Sequence, residues 1–250
     1  MIRSTLFNIA FYGFTALACI LCLPCLFLPK KQAMLAVRIF VNGTWFLEKH
    51  ILGLDYEVRG RENLPQSGSY IVAAKHESPY ETTKLNILFD DPAIVLKREL
   101  LRIPLWGRFL AKVEPIAIDR SAGKEAMEQI IEGAKRVRAQ GRPILIFPQG
   151  TRVYPWQTTA ERPYKPGVAR TALAVGLPII PMALNSGMFW PRKSWLKHPG
   201  KVVFEFLPPL NMNQDVPALM KDLETKLEAA SGALHREAGE KFGVPVKAAA

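Results

Sequence analysis

Three kinds of apolar and polar spacing succeed one another along the chain. Residues 6–28, LFNIAFYGFTALACILCLPCLFL, carry no charge. As a helix such a stretch extends about 30 Å, the hydrocarbon thickness of a bilayer. Lys30 and Lys31 follow at once, as expected where a helix end meets cytoplasmic headgroups. The run is long for the apolar part of a signal peptide and has no clear small-x-small cleavage site, so a retained anchor is expected. Pro24 can kink it, which leaves spanning and embedding in one leaflet both open. A second helical stretch, residues 32–54, is apolar but interrupted by Arg38, Glu48 and Lys49. It is expected to lie beside the first as a membrane-associated hairpin at the interface.

After Gly60 the spacing changes to short apolar, β-branched runs that alternate with helical stretches. Strands are expected at residues 70–74, 93–96, 115–118, 143–147, 178–184 and 202–207. Helices are expected at 79–88, 104–113, 124–140, 167–175 and from 216 to about 239. In the third of these, Met127, Ile130, Ile131, Ala134 and Val137 share one face. Alternation of this kind predicts an α/β fold, a central mixed sheet flanked by helices. The chain thus divides into anchoring helices, residues 1–55, and one α/β domain, residues 56–250. The tail VPVKAAA is expected to fray.

Composition narrows the partners. With 49% apolar and 22% charged residues among 250, a disordered chain is excluded. The net charge of +11 asks for an anionic partner: nucleic acid, an anionic bilayer or a phosphorylated substrate. No nucleic-acid module is recognisable and the anchor accounts for the charge, so no nucleic-acid partner is expected. Cys19, Cys22 and Cys25 all sit inside the apolar run and read as small apolar residues. No H-E-x-x-H or comparable spacing occurs, so no metal site is expected.

Two stretches carry candidate chemistry. The strand YIVAA runs into KHESPYETTKL, with His76 five residues before Glu81 and a Ser78-Pro79 helix start between them. A neutral imidazole at a strand end can take a proton from an attacking hydroxyl, and a carboxylate on its other nitrogen would fix the tautomer. Ser78-x-x-Glu81 also reads as a capping box, which needs no catalysis. The strand PILIF leads into PQGTR, residues 148–152, whose backbone N–H groups, Thr151 hydroxyl and Arg152 guanidinium could hold a phosphate. Lys97 and Arg120 also follow strands, and could join that anion pocket or pair with Glu99 and Asp119.

Taken in order, KHESPYE, KRELLRIPLWG, PIAIDR, IFPQGTR, YKPGVA and LPIIPMAL resemble the blocks of the glycerolipid acyltransferase family. The likeness is to the 1-acyl-sn-glycerol-3-phosphate acyltransferases and runs from about residue 70 to 185. It implies a membrane-bound enzyme of phospholipid biosynthesis that moves a fatty acyl group to the sn-2 hydroxyl of 1-acyl-glycerol-3-phosphate, giving phosphatidic acid. On that resemblance His76 is the general base and Glu81 orients it. Lys97, Arg120, Gly150, Thr151 and Arg152 hold the acceptor phosphate. The donor is an acyl thioester of coenzyme A or acyl carrier protein, with no metal or redox cofactor. The place is the bacterial inner membrane, with the main domain on the cytoplasmic side. Two residues depart from the family pattern: Glu81 stands for the usual Asp of the His-x4-Asp block, and Gln149 for the usual Glu before Gly-Thr-Arg. Gln149 cannot ionise but can hydrogen-bond to a bound acceptor. These departures leave a different lyso-lipid acceptor open, and a non-catalytic protein that only binds anionic lipid is a further alternative.

Overall fold

In the computed structural model, which describes residues 1–245 apart from the Lys124 side chain, helix α1 (Ile2–Leu21) opens the chain. Residues 246–250 of the expected frayed tail lie outside the described residues. A 3-10 turn, Leu23–Phe27, follows α1 with Pro24 at its start. Proline removes an N–H donor and clashes with the preceding turn, so the expected single helix is broken there. Helix α2 (Lys30–Leu47) returns and ends in a π-helical turn, Glu48–Leu52.

The expectation that this second helix reaches residue 54 is corrected: Gly53, at φ +69°, closes it and Leu54 begins a strand. A left-handed residue ends a helix most easily at glycine. That strand, β1 (Leu54–Arg59), was not anticipated, because LDYEVR is too polar to resemble the buried strands that follow.

The remaining elements are β2 (Ile71–Ala74), α3 (Pro79–Leu88), β3 (Ala93–Lys97), α4 (Trp106–Lys112), β4 (Ile116–Ile118) and α5 (Lys124–Ala139). Then come β5 (Ile144–Ile146), α6 (Gly167–Val175), β6 (Ile179–Leu184), α7 (Ser186–Phe189), β7 (Gly200–Phe206) and α8 (Val216–Phe242). The seven strands form one mixed sheet in the order β1-β7-β6-β2-β5-β3-β4. Every neighbouring pair is parallel except β6 and β7.

Both faces of the sheet are covered, which is why its central strands read as continuous apolar runs rather than as alternation. Along β2, Ile71 and Ala73 join one core with Ala134 and Val137 of α5, Ala169 of α6 and Leu223 of α8. Val72 and Ala74 join the other, with Leu85 of α3, Phe204 of β7 and Phe7 of α1. The first turns of α1 are therefore seated on the α/β domain. Asn8 accepts from Lys197 Nζ at 2.7 Å, and Ser4 Oγ accepts the Lys197 N–H at 3.0 Å. Farther along, Leu17, Ile20, Leu21 and Phe27 are exposed, as are Leu35 and Ile39 of α2.

Because β2, β3, β4, β5 and β6 run parallel, their C-terminal ends share one edge of the sheet. In such sheets ligands bind in the crevice outside that edge. The loops after β2, β5 and β4 carry His76, the QGTR turn and Arg120 respectively, and Ser186 opens helix α7 just after β6.

Candidate active site

The His76 loop is built by the start of α3. Ser78 is its N-cap and accepts the Tyr80 N–H at 3.1 Å, Pro79 is the first helical residue, and Glu81 completes a capping box. Glu81 Oε1 accepts the N–H groups of Glu77 and Ser78, both at 2.8 Å. The same oxygen lies 2.7 Å from His76 Nδ1. Capping and imidazole contact are thus properties of one carboxylate, not rival readings. Its other oxygen accepts from the Ser186 hydroxyl at 2.6 Å. Four donors surround a fully buried group, which is how a carboxylate stays satisfied away from water.

The His76 side chain is 15% exposed, and its ring stacks on Phe147 with centroids 4.2 Å apart. With Nδ1 committed to Glu81, Nε2 is left as a proton acceptor, the tautomer a base needs. The His76 carbonyl accepts the Val153 N–H at 2.7 Å, which ties the QGTR turn directly to the histidine.

On that turn Gly150 has φ +69°, and a Cβ there would lie 3.6 Å from both Arg120 Nη1 and Lys165 Nζ. Arg120 donates to the Gly150 carbonyl rather than pairing with Asp119, whose carboxylate accepts from the Ser121 N–H and hydroxyl. Arg152 is half-buried, and burial depresses its guanidinium below the usual range; the Glu81 charge opposes that shift and Arg192 adds to it. Arg152 therefore lies within electrostatic reach of the histidine's carboxylate. Gln149 is 5% exposed, and neither of its amide atoms, nor Arg152 Nε, has a hydrogen-bond partner among the described residues.

His76, Glu81, Gln149, Gly150, Thr151, Arg152 and Arg120 thus gather at the sheet edge. Lys97 stands apart. It ends β3 exposed and opposite Ile118, two residues before Arg120, but it forms no bond or ion pair with another site residue among the described residues. It does not pair with Glu99 either. Ser186, Phe147 and Lys165 are members that the sequence did not single out. A serine after a strand and an aromatic at a strand end carry no local signal, and Lys165 lay inside the YKPGVA block unmarked. Among the described residues no three His, Cys, Asp or Glu side chains are grouped so as to hold a metal ion.

The family model described as Acyltransferase matches residues 55–185. The 1-acyl-sn-glycerol-3-phosphate acyltransferase of Pseudomonas aeruginosa is 36% identical over 195 residues, 76% of this chain and 74% of that protein. The Escherichia coli protein of the same name is 27% identical over 222 residues, 87% of this chain and 88% of its own length. Among solved structures, the 1-acyl-sn-glycerophosphate acyltransferase PlsC of Thermotoga maritima superposes with a TM-score of 0.75, covering 93% of this chain and 96% of that one. At 22% identity that likeness speaks for the fold.

Proposed function

The chain belongs to the acyltransferase family, as an enzyme of the 1-acyl-sn-glycerol-3-phosphate acyltransferase type, and on that premise we propose that it acylates the sn-2 hydroxyl of 1-acyl-glycerol-3-phosphate. His76 Nε2 takes the hydroxyl proton as the oxygen attacks the carbonyl carbon of an acyl thioester. Glu81 stabilises the imidazolium across the Nδ1 bond. The tetrahedral adduct collapses with cleavage of the C–S bond, the imidazolium returns its proton to the thiolate, and phosphatidic acid and a free thiol result. The donor is a thioester of coenzyme A or acyl carrier protein, and the reaction draws on no metal or redox group.

Arg120 and the Gly150-Thr151-Arg152 turn grip the acceptor phosphate, with Lys165 beside them and Lys97 reaching in from the strand edge. The amide of Gln149 bonds to the headgroup without adding a negative charge beside it. The observation that supports this reading best is the Val153–His76 bond, which holds the base and the cationic turn in one rigid unit.

The anchor fits a lipid substrate. Ile2–Leu21 is long and apolar enough to cross a membrane and is only 22% buried over its most apolar window. With the adjoining exposed apolar residues of α2, it would seat the domain on an anionic leaflet of the bacterial inner membrane, facing the cytoplasm.

Competition among lyso-lipid acceptors tests the reading. Given purified chain in mixed vesicles, an acyl thioester and equimolar lysophosphatidate, lysophosphatidylethanolamine and 1-monoacylglycerol, phosphatidic acid is expected to dominate by about 10-fold or more, the value of one charge-assisted contact. Preference for another acceptor would reassign the headgroup. Tight lipid binding with no transfer to any acceptor would leave only the non-catalytic alternative.

A further inference from the structure

We propose that the C-terminal helix α8 positions His76 through two side-chain pairs, one buried and one part-buried, made by the residues on either side of it. Lys75 Nζ lies 3.0 Å from Glu228 Oε2, and Glu77 Oε1 lies 2.9 Å from His235 Nε2. The Lys75, Glu77 and His235 side chains are 1%, 0% and 7% exposed, and Glu228, at 32%, reaches Lys75 from the surface of α8. Positions 228 and 235 are seven apart, hence on one face of α8. Residues 75 and 77 reach that face while His76 points to Glu81 and Phe147, as alternating side chains of an extended segment do.

The two pairs continue to both halves of the site. Glu77 Oε2 accepts the Gly187 N–H at 3.1 Å, and the preceding residue, Ser186, donates to Glu81 at 2.6 Å. Gly187 has no room for a side chain: a Cβ there would come within 2.9 Å of Glu77 Cβ. One path therefore runs from His235 through Glu77 and the Ser186-Gly187 turn to the carboxylate behind His76. A second starts at Glu228, whose Oε1 accepts from the Tyr164 hydroxyl at 2.7 Å. The next residue, Lys165, is the one whose ammonium faces Gly150.

Burial alone would raise the Glu77 carboxyl, but His235, Lys75 and the Gly187 N–H outweigh it and hold it below the usual carboxylate range. It is therefore ionised and fully partnered. Such pairs add little net stability over an apolar filling of the same volume. What they add here is direction, since each fixes a neighbour of the base to a rigid helix, much as outer-shell partners fix metal-ligating imidazoles.

The inference rests on His76 acting as the base. The test compares full-length wild type, His235→Ala, His235→Gln, Glu77→Gln and His76→Ala with lysophosphatidate and an acyl thioester, with thermal melts run alongside. His235→Ala is expected to lose about 10- to 100-fold in kcat, the range known for outer-shell partners, with both KM values within about 2-fold. His235→Gln, which restores an N–H at similar reach, is expected to recover most of that loss. Should the alanine variant not fold, Glu77→Gln keeps the volume, removes the charge and is expected to lose roughly 10-fold in kcat. Full kcat in His235→Ala, a loss in KM alone, or equal kcat losses in the Ala and Gln variants would overturn the proposal. Full turnover in His76→Ala would instead sink the general-base reading itself.

Discussion

Replacing His76 by alanine is expected to lower kcat for acyl transfer by about 10²- to 10⁴-fold, the contribution of a positioned general base. The secondary hydroxyl of a lyso-lipid is a poor nucleophile near neutral pH, and within the gathered site His76 supplies the uncommitted nitrogen, Nε2. Binding should change little, because the cations proposed to hold the phosphate stand on other loops: Arg120 after β4, the QGTR turn after β5 and Lys165 before α6. Acceptor KM is therefore expected to stay within about 3-fold while kcat collapses, the pattern of an interaction made only in the transition state. Initial rates with lysophosphatidate as the varied substrate check both numbers.

A comparably large effect, on stability rather than rate, is expected where α2 meets the catalytic helix. Lys84 of α3 donates to Glu48 with both side chains fully buried, and its ammonium lies 4.4 Å from the Tyr80 ring centroid. Burial pushes the Glu48 carboxyl up to about 7, with Lys84 pulling the other way. Burial likewise lowers Lys84, against the pull of Glu48. Lys84→Met strands the carboxyl and is expected to cost about 3–5 kcal/mol. Glu48→Gln added to Lys84→Met replaces the pair by two neutral groups and should return most of it.

The shift in Glu48 also fixes a pH dependence. Its folded value lies above the ordinary 4.5, so the folded state binds this proton more tightly. The associated stability is fully present below about 4.5 and is lost as pH rises through about 7. Wild type should therefore lose more of its Tm between pH 5 and pH 7 than Glu48→Gln does. Melts of the two proteins at both values check this, and parallel curves would contradict the assignment.

How far the sequence could foresee this arrangement depended on whether a feature is local. Helix α3 starts at Ser78-Pro79 and α6 ends before Gly176, and both were readable to the residue because caps and glycine stops act over a few positions. The strands β2, β5 and β6 stood out because burial on both faces makes them wholly apolar. Strand β1 did not, since Asp55, Glu57 and Arg59 alternate with its apolar residues instead of giving a continuous apolar run, and it follows directly on a helix. At the site, His76 and Glu81 were visible because five residues separate them. Ser186 meets Glu81 across 105 positions and His235 meets Glu77 across 158, and only the sheet brings them together. For Lys97 the sequence placed a cation at a strand end facing the site edge, but not the reach of its side chain, which packing sets and spacing does not encode.

Catalysis and headgroup capture are separable in this account, and one variant separates them. Purified full-length His76→Ala, reconstituted in vesicles, is assayed for acyl transferred to lysophosphatidate and, in the same sample, for lysophosphatidate bound at equilibrium. The account predicts wild-type binding, within about 3-fold, with turnover reduced at least about 100-fold. Turnover within a few-fold of wild type at unchanged binding would contradict it.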